Sequence, residues 1–345
     1  MTESAHPISN EALLGCLLGT AVGDSIGLPT EGLSRRRGQH WLVGGLRHRF
    51  IIGRGMLSDD TEHTLMLMAA LRRHPDDLIA MQRDFGRQLR WWLAALPAGV
   101  GLSTARAIGK LWLGFPASKS GVRSAGNGAA MRSAIMGAMF AHDREKRKSV
   151  ALAACQVTHT DPHAEESVLL VVEATAMAVK DVGTRDVLDA LRPFLASEIM
   201  KGHFEALETA LNDECSVSEY ADRIGCGKGV SGFAPNSVAV ALYGWLRHRG
   251  EFETMLKEVI ACGGDTDSVA AIAGGICGAE VGEQGIPPTW IAGICDWPYS
   301  VGFIRRMAEV VGKPPKALWP AMLLRNVVFI IVVLLHGFRR LLPPY

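Results

Sequence analysis

At 345 residues, with 48% apolar and 21% charged side chains, the chain has the hydrophobic material for one large domain or two ordinary ones. Its 36 lysines and arginines against 35 acids leave a formal charge of +1, which gives no electrostatic case for nucleic acid as a main partner. Seven dispersed cysteines without a C-x-x-C pair, and an opening segment with no basic-then-apolar leader, predict reduced thiols and a cytoplasmic protein.

Helical periodicity runs along most of the chain and strand-like alternation is nearly absent. Ser9 or Asn10 caps a first helix through Leu13, Leu14, Leu17 and Leu18. Further helices are predicted near 62–73, 84–95, 103–113, 128–141, 147–157, 164–180, 185–196, 233–248, 252–261, 267–281 and 300–311, with Pro97, Pro116, Pro162, Pro235 and Pro287-Pro288 punctuating them. Glycines and alanines sit side by side, as in Ala271–Gly275 and Gly128–Ala130, and such small residues predict helices in close contact. No repeat of 20–50 residues and no long linker is visible, so the expectation is one compact all-α domain over about 8–312, followed by a tail over 313–345 cut near Lys313-Pro314-Pro315. The tail carries an unbroken apolar run, Val327–Leu335, well short of the roughly 20 residues a spanning helix needs. Stretched over 323–342 it takes in Arg325, Asn326, His336, Arg339 and Arg340, so a last helix buried against the domain is the first reading. An interfacial membrane helix or a partner-docking helix is the second.

Two segments carry chemistry. In Gly55–Thr61, Ser58 suits a helix N-cap and an acid in the first turn suits the helix dipole. Capping does not call for two adjacent carboxylates, Asp59 and Asp60, flanked by two hydroxyls; like charges side by side are easier to explain with a cation between them. About 200 residues later Cys262–Ser268 repeats the pattern, with Gly263-Gly264 permitting tight curvature before Asp265, Asp267 and Ser268. Hard oxygen donors of this kind suit magnesium or manganese rather than zinc, and four aspartates balance two divalent ions. Other residues have plainer readings. Asp24 stabilises a helix-to-loop turn, Glu31 is a loop acid, Met131 belongs to the core, and Pro162 spoils a metal pair of His159 with His163. Arg35-Arg36-Arg37 and Arg47-His48-Arg49, near Trp41 and Phe50, read as a solvated basic loop, or as a guide for a diphosphate or an acidic target.

Five segments occur in one order: Gly19–Gly27 with Glu31, Ser58–Thr61, Gly126–Arg132, Thr158–Pro162 and Gly263–Ser268. In that order they resemble the motifs of the ADP-ribosylglycohydrolases, a family that includes the dinitrogenase-reductase-activating glycohydrolases. The resemblance implies an all-helical orthogonal bundle. It also implies a dinuclear magnesium centre (manganese being the alternative) held by Ser58, Asp59, Asp60, Asp265, Asp267 and Ser268. Glu31 would lie on a mobile loop as the catalytic group. Ser124, Gly126, Asn127, Gly128 and His159 would bind ADP-ribose. The implied reaction is hydrolysis at C1″ of ADP-ribose on a protein side chain, arginine first and an O-linked acceptor such as serine next. Three alternatives stand beside it: a magnesium-dependent hydrolase of a free ADP-ribose derivative or other nucleotide-like molecule, a catalytically silent ADP-ribose-binding protein, and a membrane-associated regulator. The implied partner is an ADP-ribosylated protein or an ADP-ribose derivative, and a monomer is the default. Departures from the family pattern are Ser58 and Ser268 in place of threonine, Ala125 where some relatives carry an aromatic, and the absence of an acid in Pro97–Thr104.

Overall fold

The computed structural model describes residues 9–50, 53–309 and 313–341, apart from the Trp41 side chain. Among these residues the regular elements are helices, joined by 3-10 turns and isolated bridges. In chain order they are α1 (Asn10–Gly27), α2 (Arg35–Leu42), α3 (Asp59–Arg73), α4 (Leu78–Ala94), α5 (Leu102–Trp112), α6 (Ala134–Met139), α7 (Arg144–Gln156), α8 (Pro162–Val179) and α9 (Thr184–Leu191). There follow α10 (Glu198–Asn212), α11 (Val217–Arg223), α12 (Ala234–Arg247), α13 (Phe252–Ala261), α14 (Thr266–Val281), α15 (Pro288–Gly293), α16 (Val301–Ala308) and α17 (Trp319–Arg339). The predicted end of a helix at 310–311, the domain edges at 8 and 312, and tail residues 342–345 lie outside the described residues.

Local chemistry explains many of the starts. Side-chain oxygens of Ser9, Asp77, Asp143, Asp161, Ser197, Ser216 and Ser300 accept backbone N–H groups of the first turn, satisfying donors that a helix leaves open. Pro162 and Pro235 sit in the first turn of α8 and α12, where a missing N–H costs nothing.

The frame is an antiparallel pair, α1 against α14, meeting through glycine. A Cβ added at Gly15 would lie 2.0 Å from the Gly278 carbonyl oxygen, one at Gly19 2.0 Å from that of Gly274, and one at Gly23 2.1 Å from that of Ala270. No side chain fits at those distances, so the two backbones touch. Helices α8, α12 and α13 pack around α14, α6 packs on α8, and α3 lies on α4. The consequence for function is positional: the zipper sets the C-terminal end of α1 beside the N-terminal end of α14.

The structure departs from the periodicity in several places. The predicted helix over 128–141 is helical only at Ala134–Met139, because the preceding residues turn over His159. Helix α4 starts earlier, where Asp77 caps it. Helices α10, α11 and α15 were not predicted. The expected basic loop is a correction: Arg35–Leu42 is a helix, with Arg35 paired to Asp222 at 2.7 Å. His48 is buried, with Nδ1 3.0 Å from Ser25 Oγ and Nε2 2.7 Å from the Trp290 carbonyl. The tail helix is 21 residues long, extending beyond the apolar run on both sides.

Candidate metal and nucleotide site

Both acidic segments open helices, α3 and α14, and both helix starts face one cleft of about 430 Å³. At the first, Ser58 caps α3: its Oγ accepts from the Asp60 N–H at 3.3 Å and donates to Asp60 Oδ2 at 3.0 Å. Asp24 holds this turn from beneath. Its carboxylate accepts the Ser58 N–H at 2.9 Å, the Thr61 N–H at 3.3 Å and the Thr61 hydroxyl at 2.5 Å. Burial pushes the Asp24 carboxyl up to about 6 against those bonds. The plain reading of Asp24 as a turn stabiliser therefore fits.

At the second, two glycines do what other residues could not. Gly263 and Gly264 have φ of +71° and +83°, and a Cβ on Gly264 would lie 2.0 Å from the Val230 carbonyl oxygen. Gly264 also pairs with the loop after α1: the Gly32 N–H donates to its carbonyl at 2.8 Å and its N–H donates to the Leu33 carbonyl at 2.7 Å. That stitch places Glu31 with the aspartates of α14. One oxygen each from Glu31, Asp265 and Asp267 lies within 4.8 Å of the others. Glu31 thus stands among the acids expected to hold metal, which its place in the sequence did not show.

The charges are crowded. Asp59, Asp60 and Asp267 all have pKa values pushed well above the ordinary carboxylate range, first by burial and then by one another and Asp24, Glu31, Glu62 or Asp265. Burial of its carboxylate, followed by the Asp265 charge, raises Glu31 to about 7. Two oxygens, Asp60 Oδ1 and Asp267 Oδ1, are buried without any hydrogen-bond partner. Unpartnered buried carboxylate oxygens facing like charges are costly unless a cation joins them. Every donor here is a hard oxygen, and Ser58, Asp59, Asp60, Asp265, Asp267 and Ser268 all line the cleft. These residues fit magnesium or manganese.

The Gly126–Gly128 loop forms the opposite wall. Asn127 ties it to the acids, donating through Nδ2 to Asp265 Oδ2 at 2.8 Å and to Ser237 Oγ at 3.0 Å. His159 lies beneath the glycines; a Cβ on Gly128 would come within 3.1 Å of its ring. The Thr158 hydroxyl accepts from Arg132 at 2.6 Å, which leaves its own hydrogen for His159 Nδ1 at 2.8 Å. With Thr158 as the donor to Nδ1, the ring proton sits on Nε2, on the glycine side. Burial, then the Arg132 charge, lowers the His159 pKa to about 3, so the ring is neutral. Ser124 stands apart from the lining: its Oγ accepts from Ser103 at 2.7 Å and from the Gly126 N–H at 3.3 Å, bracing the 97–104 segment against the loop. His163 points elsewhere, with Nδ1 3.9 Å from Glu166.

Sequence reasoning missed the contribution of α17. Arg325 is buried and reaches behind the first acidic segment. It pairs with Asp296 at 2.5 Å and Glu62 at 3.2 Å and donates to the Leu57 carbonyl at 2.5 Å, while Asp296 accepts the Leu57 N–H at 2.9 Å. Leu57, the residue before Ser58, is thereby held at both its polar groups. Phe329 and Val333 of the same helix line the cleft. An arginine just before an apolar run was the visible signal; its partners were not visible.

A helical bundle with paired acidic helix starts defines a class, and comparison places the chain within it. The ADP-ribosylglycohydrolase family model matches residues 5–317, and the chain belongs to that family, whose members are hydrolases that cleave ADP-ribose glycosidic bonds. The chain is 30% identical to an uncharacterized protein of Archaeoglobus fulgidus over 83% of this chain and 92% of that one. It is 25% identical to the ADP-ribosyl-dinitrogen reductase glycohydrolase of Rhodospirillum rubrum, over 83% and 91%. It is also 25% identical to ADP-ribosylhydrolase ARH3 of Gallus gallus, over 80% and 87%. A solved chain from an ADP-ribosylglycohydrolase-related protein complex aligns at a TM-score of 0.64 and 23% identity, covering 92% of this chain and 98% of its own, which shows the shared all-α fold.

Proposed function

We propose that this chain is a divalent-metal-dependent hydrolase that removes ADP-ribose from a modified protein side chain, arginine being the first candidate acceptor. The observation that carries the reading is the pair of buried, unpartnered oxygens Asp60 Oδ1 and Asp267 Oδ1, on two helix starts that line one cleft. Ser58, Asp59, Asp60, Asp265, Asp267 and Ser268 would hold magnesium or manganese, with Glu31 at ligand distance from the second pair. Bound metal would orient the ribose hydroxyls and acidify a water.

The chain's own groups account for the rest. Within the loop the Gly126 N–H is taken by Ser124 and the Asn127 N–H by the Gly232 carbonyl, so the Gly128 N–H and the Nε2–H of neutral His159 would be the donors offered to a diphosphate or ribose. Asn127, fixed on Asp265, couples that binding wall to the acids, so binding of the remote nucleotide orients the reacting end. In the reaction a water oxygen bonds to C1″, the bond from C1″ to the acceptor nitrogen breaks, and a proton passes to the leaving guanidine. The transition state has oxocarbenium character, as in glycoside hydrolysis generally. Glu31, exposed beside Asp265 and Asp267, would take the water's proton.

The test is release of ADP-ribose from arginine-ADP-ribosylated and serine-ADP-ribosylated protein, with magnesium or with EDTA. Magnesium-dependent release, abolished in Asp265→Asn/Asp267→Asn, supports the reading, and the better substrate names the acceptor. Tight ADP-ribose binding without release from either substrate would instead favour a binding protein, in keeping with the acid-free 97–104 wall. No binding of metal or ADP-ribose would overturn the site altogether.

A further inference from the structure

Helix α17 has its polarity reversed for a helix that faces water. Its inward stripe carries Arg325, Asn326 and His336, all buried and hydrogen-bonded. Its outward stripe is Leu324, Val327, Ile331, Leu334, Leu335 and Phe338, each between 45% and 67% exposed. Single exposed leucines are ordinary on a protein surface, but a contiguous stripe of this length marks an interaction face. The match to the family model ends at residue 317, before the helix begins.

Three features say what covers the face. At its N-terminal end, Trp319, Trp91 and Trp112 form a partly exposed edge-to-face group, with ring centroids 6.2 and 5.9 Å apart; rings that are apolar in body and polar at one edge collect at the membrane–water boundary. At its C-terminal end the charge is basic. Arg37 donates to the Arg340 carbonyl at 3.3 Å, and Arg36, Arg37 and Arg339 are exposed beside it, a cluster complementary to anionic headgroups. Along its length, Asn326 donates to the Ala95 carbonyl at 2.8 Å and His336 bonds the Pro29 carbonyl at 2.9 Å, while Arg325 is clamped by Asp296. A helix of 21 residues is about 31 Å long, enough to cross a bilayer, but these bonds hold it against the bundle.

We propose that α17 lies flat in the headgroup–acyl boundary of an anionic lipid bilayer, its apolar stripe in the lipid and the basic cluster on the headgroups. The chain is then a peripheral membrane protein, and because Phe329 and Val333 line the cleft from the same helix, its site works at the lipid surface.

Flotation of the full chain with vesicles tests this independently of any hydrolase activity. Vesicles of equal parts phosphatidylcholine and phosphatidylglycerol should carry the protein upward, and phosphatidylcholine alone should carry much less. Leu334→Glu/Phe338→Glu, two outward positions away from the cleft, should lower the bound fraction about tenfold or more with an unchanged melting curve. Protein left at the bottom with both vesicles would overturn the proposal, as would a double variant that floats like the parent. So would a soluble dimer that the variant converts to monomer, which would give the face to a second copy. Resistance of the bound protein to carbonate extraction would also overturn it, in favour of a spanning helix.

Discussion

Among the described residues, two helices are long and apolar enough to cross a membrane, and their surroundings are opposite. The window containing α1 has a mean hydropathy of 1.4 and is 89% buried; that of α17 has 2.2 and is 28% buried. What separates them is side-chain size and the placement of polar groups. Helix α1 presents a glycine every fourth residue to α14, so it sinks into the bundle until backbones meet. Helix α17 presents leucine, isoleucine and phenylalanine outward and fixes its inner face through an arginine, an asparagine and a histidine. Hydropathy alone reports neither outcome, and the two helices serve the cleft differently: α1 aligns its acids, while α17 buttresses them from behind.

The largest effect expected from breaking this arrangement is on the α17 side. Arg325→Met leaves Glu62 and Asp296 buried without their cation and should cost about 3–5 kcal/mol by urea denaturation. A loss under about 1 kcal/mol would mean that Arg325 is not the anchor. Next, Gly19→Ala drives a methyl against the Gly274 carbonyl and should cost about 1–3 kcal/mol through backbone displacement, with metal affinity falling alongside because the α14 acids move. An unaltered melting temperature would rule out the close α1–α14 approach.

A smaller effect is set by two buried imidazoles, His48 against Ser25 of α1 and His336 within α17. Burial is the main cause lowering the pKa of each. Their neutral forms are favoured in the fold, so their contribution is fully present above the unfolded value of about 6.5 and is lost as pH falls through and below it. Buried carboxylates with raised pKa values, such as Asp24, act with the opposite sign, so the informative quantity is the difference between variant and parent. On acidification from neutral pH, His48→Gln and His336→Gln should lose less stability than the parent does, as read by melting temperature; equal losses would refute the assignment. Ile331→Gln, on the outward stripe of α17, should change stability in water by no more than about 0.5 kcal/mol, and a large loss would show that this face is packed.

Much of the site was legible because chemistry repeats where sequence does not. Ser58-Asp59-Asp60 and Asp265-Thr266-Asp267-Ser268 stand out as carboxylates joined to hydroxyls at two helix starts, and the structure brings them to one cleft. The all-helical fold followed from periodicity, and close helix packing from the abundance of small residues. What could not be read was pairing at a distance. Helix α2 looked like a loop because Arg35, Arg36 and Arg37 supply no apolar period, and His48 looked solvated because Ser25 and Trp290 are remote in sequence. Glu31 gave no sign of Asp265, since a backbone stitch through Gly264 rather than any motif joins them. Ser124, expected to bind substrate, bonds Ser103 and the Gly126 N–H, partners that its place in the sequence did not show.

The most direct test of a single shared metal centre is calorimetric titration of manganese into metal-free protein, using the parent and Asp60→Asn/Asp267→Asn. The double substitution takes one carboxylate from each helix start while keeping side-chain volume. About two ions per chain should bind the parent, and the double variant should lose both. Undiminished binding by the variant, or none by the parent, would contradict the joint centre.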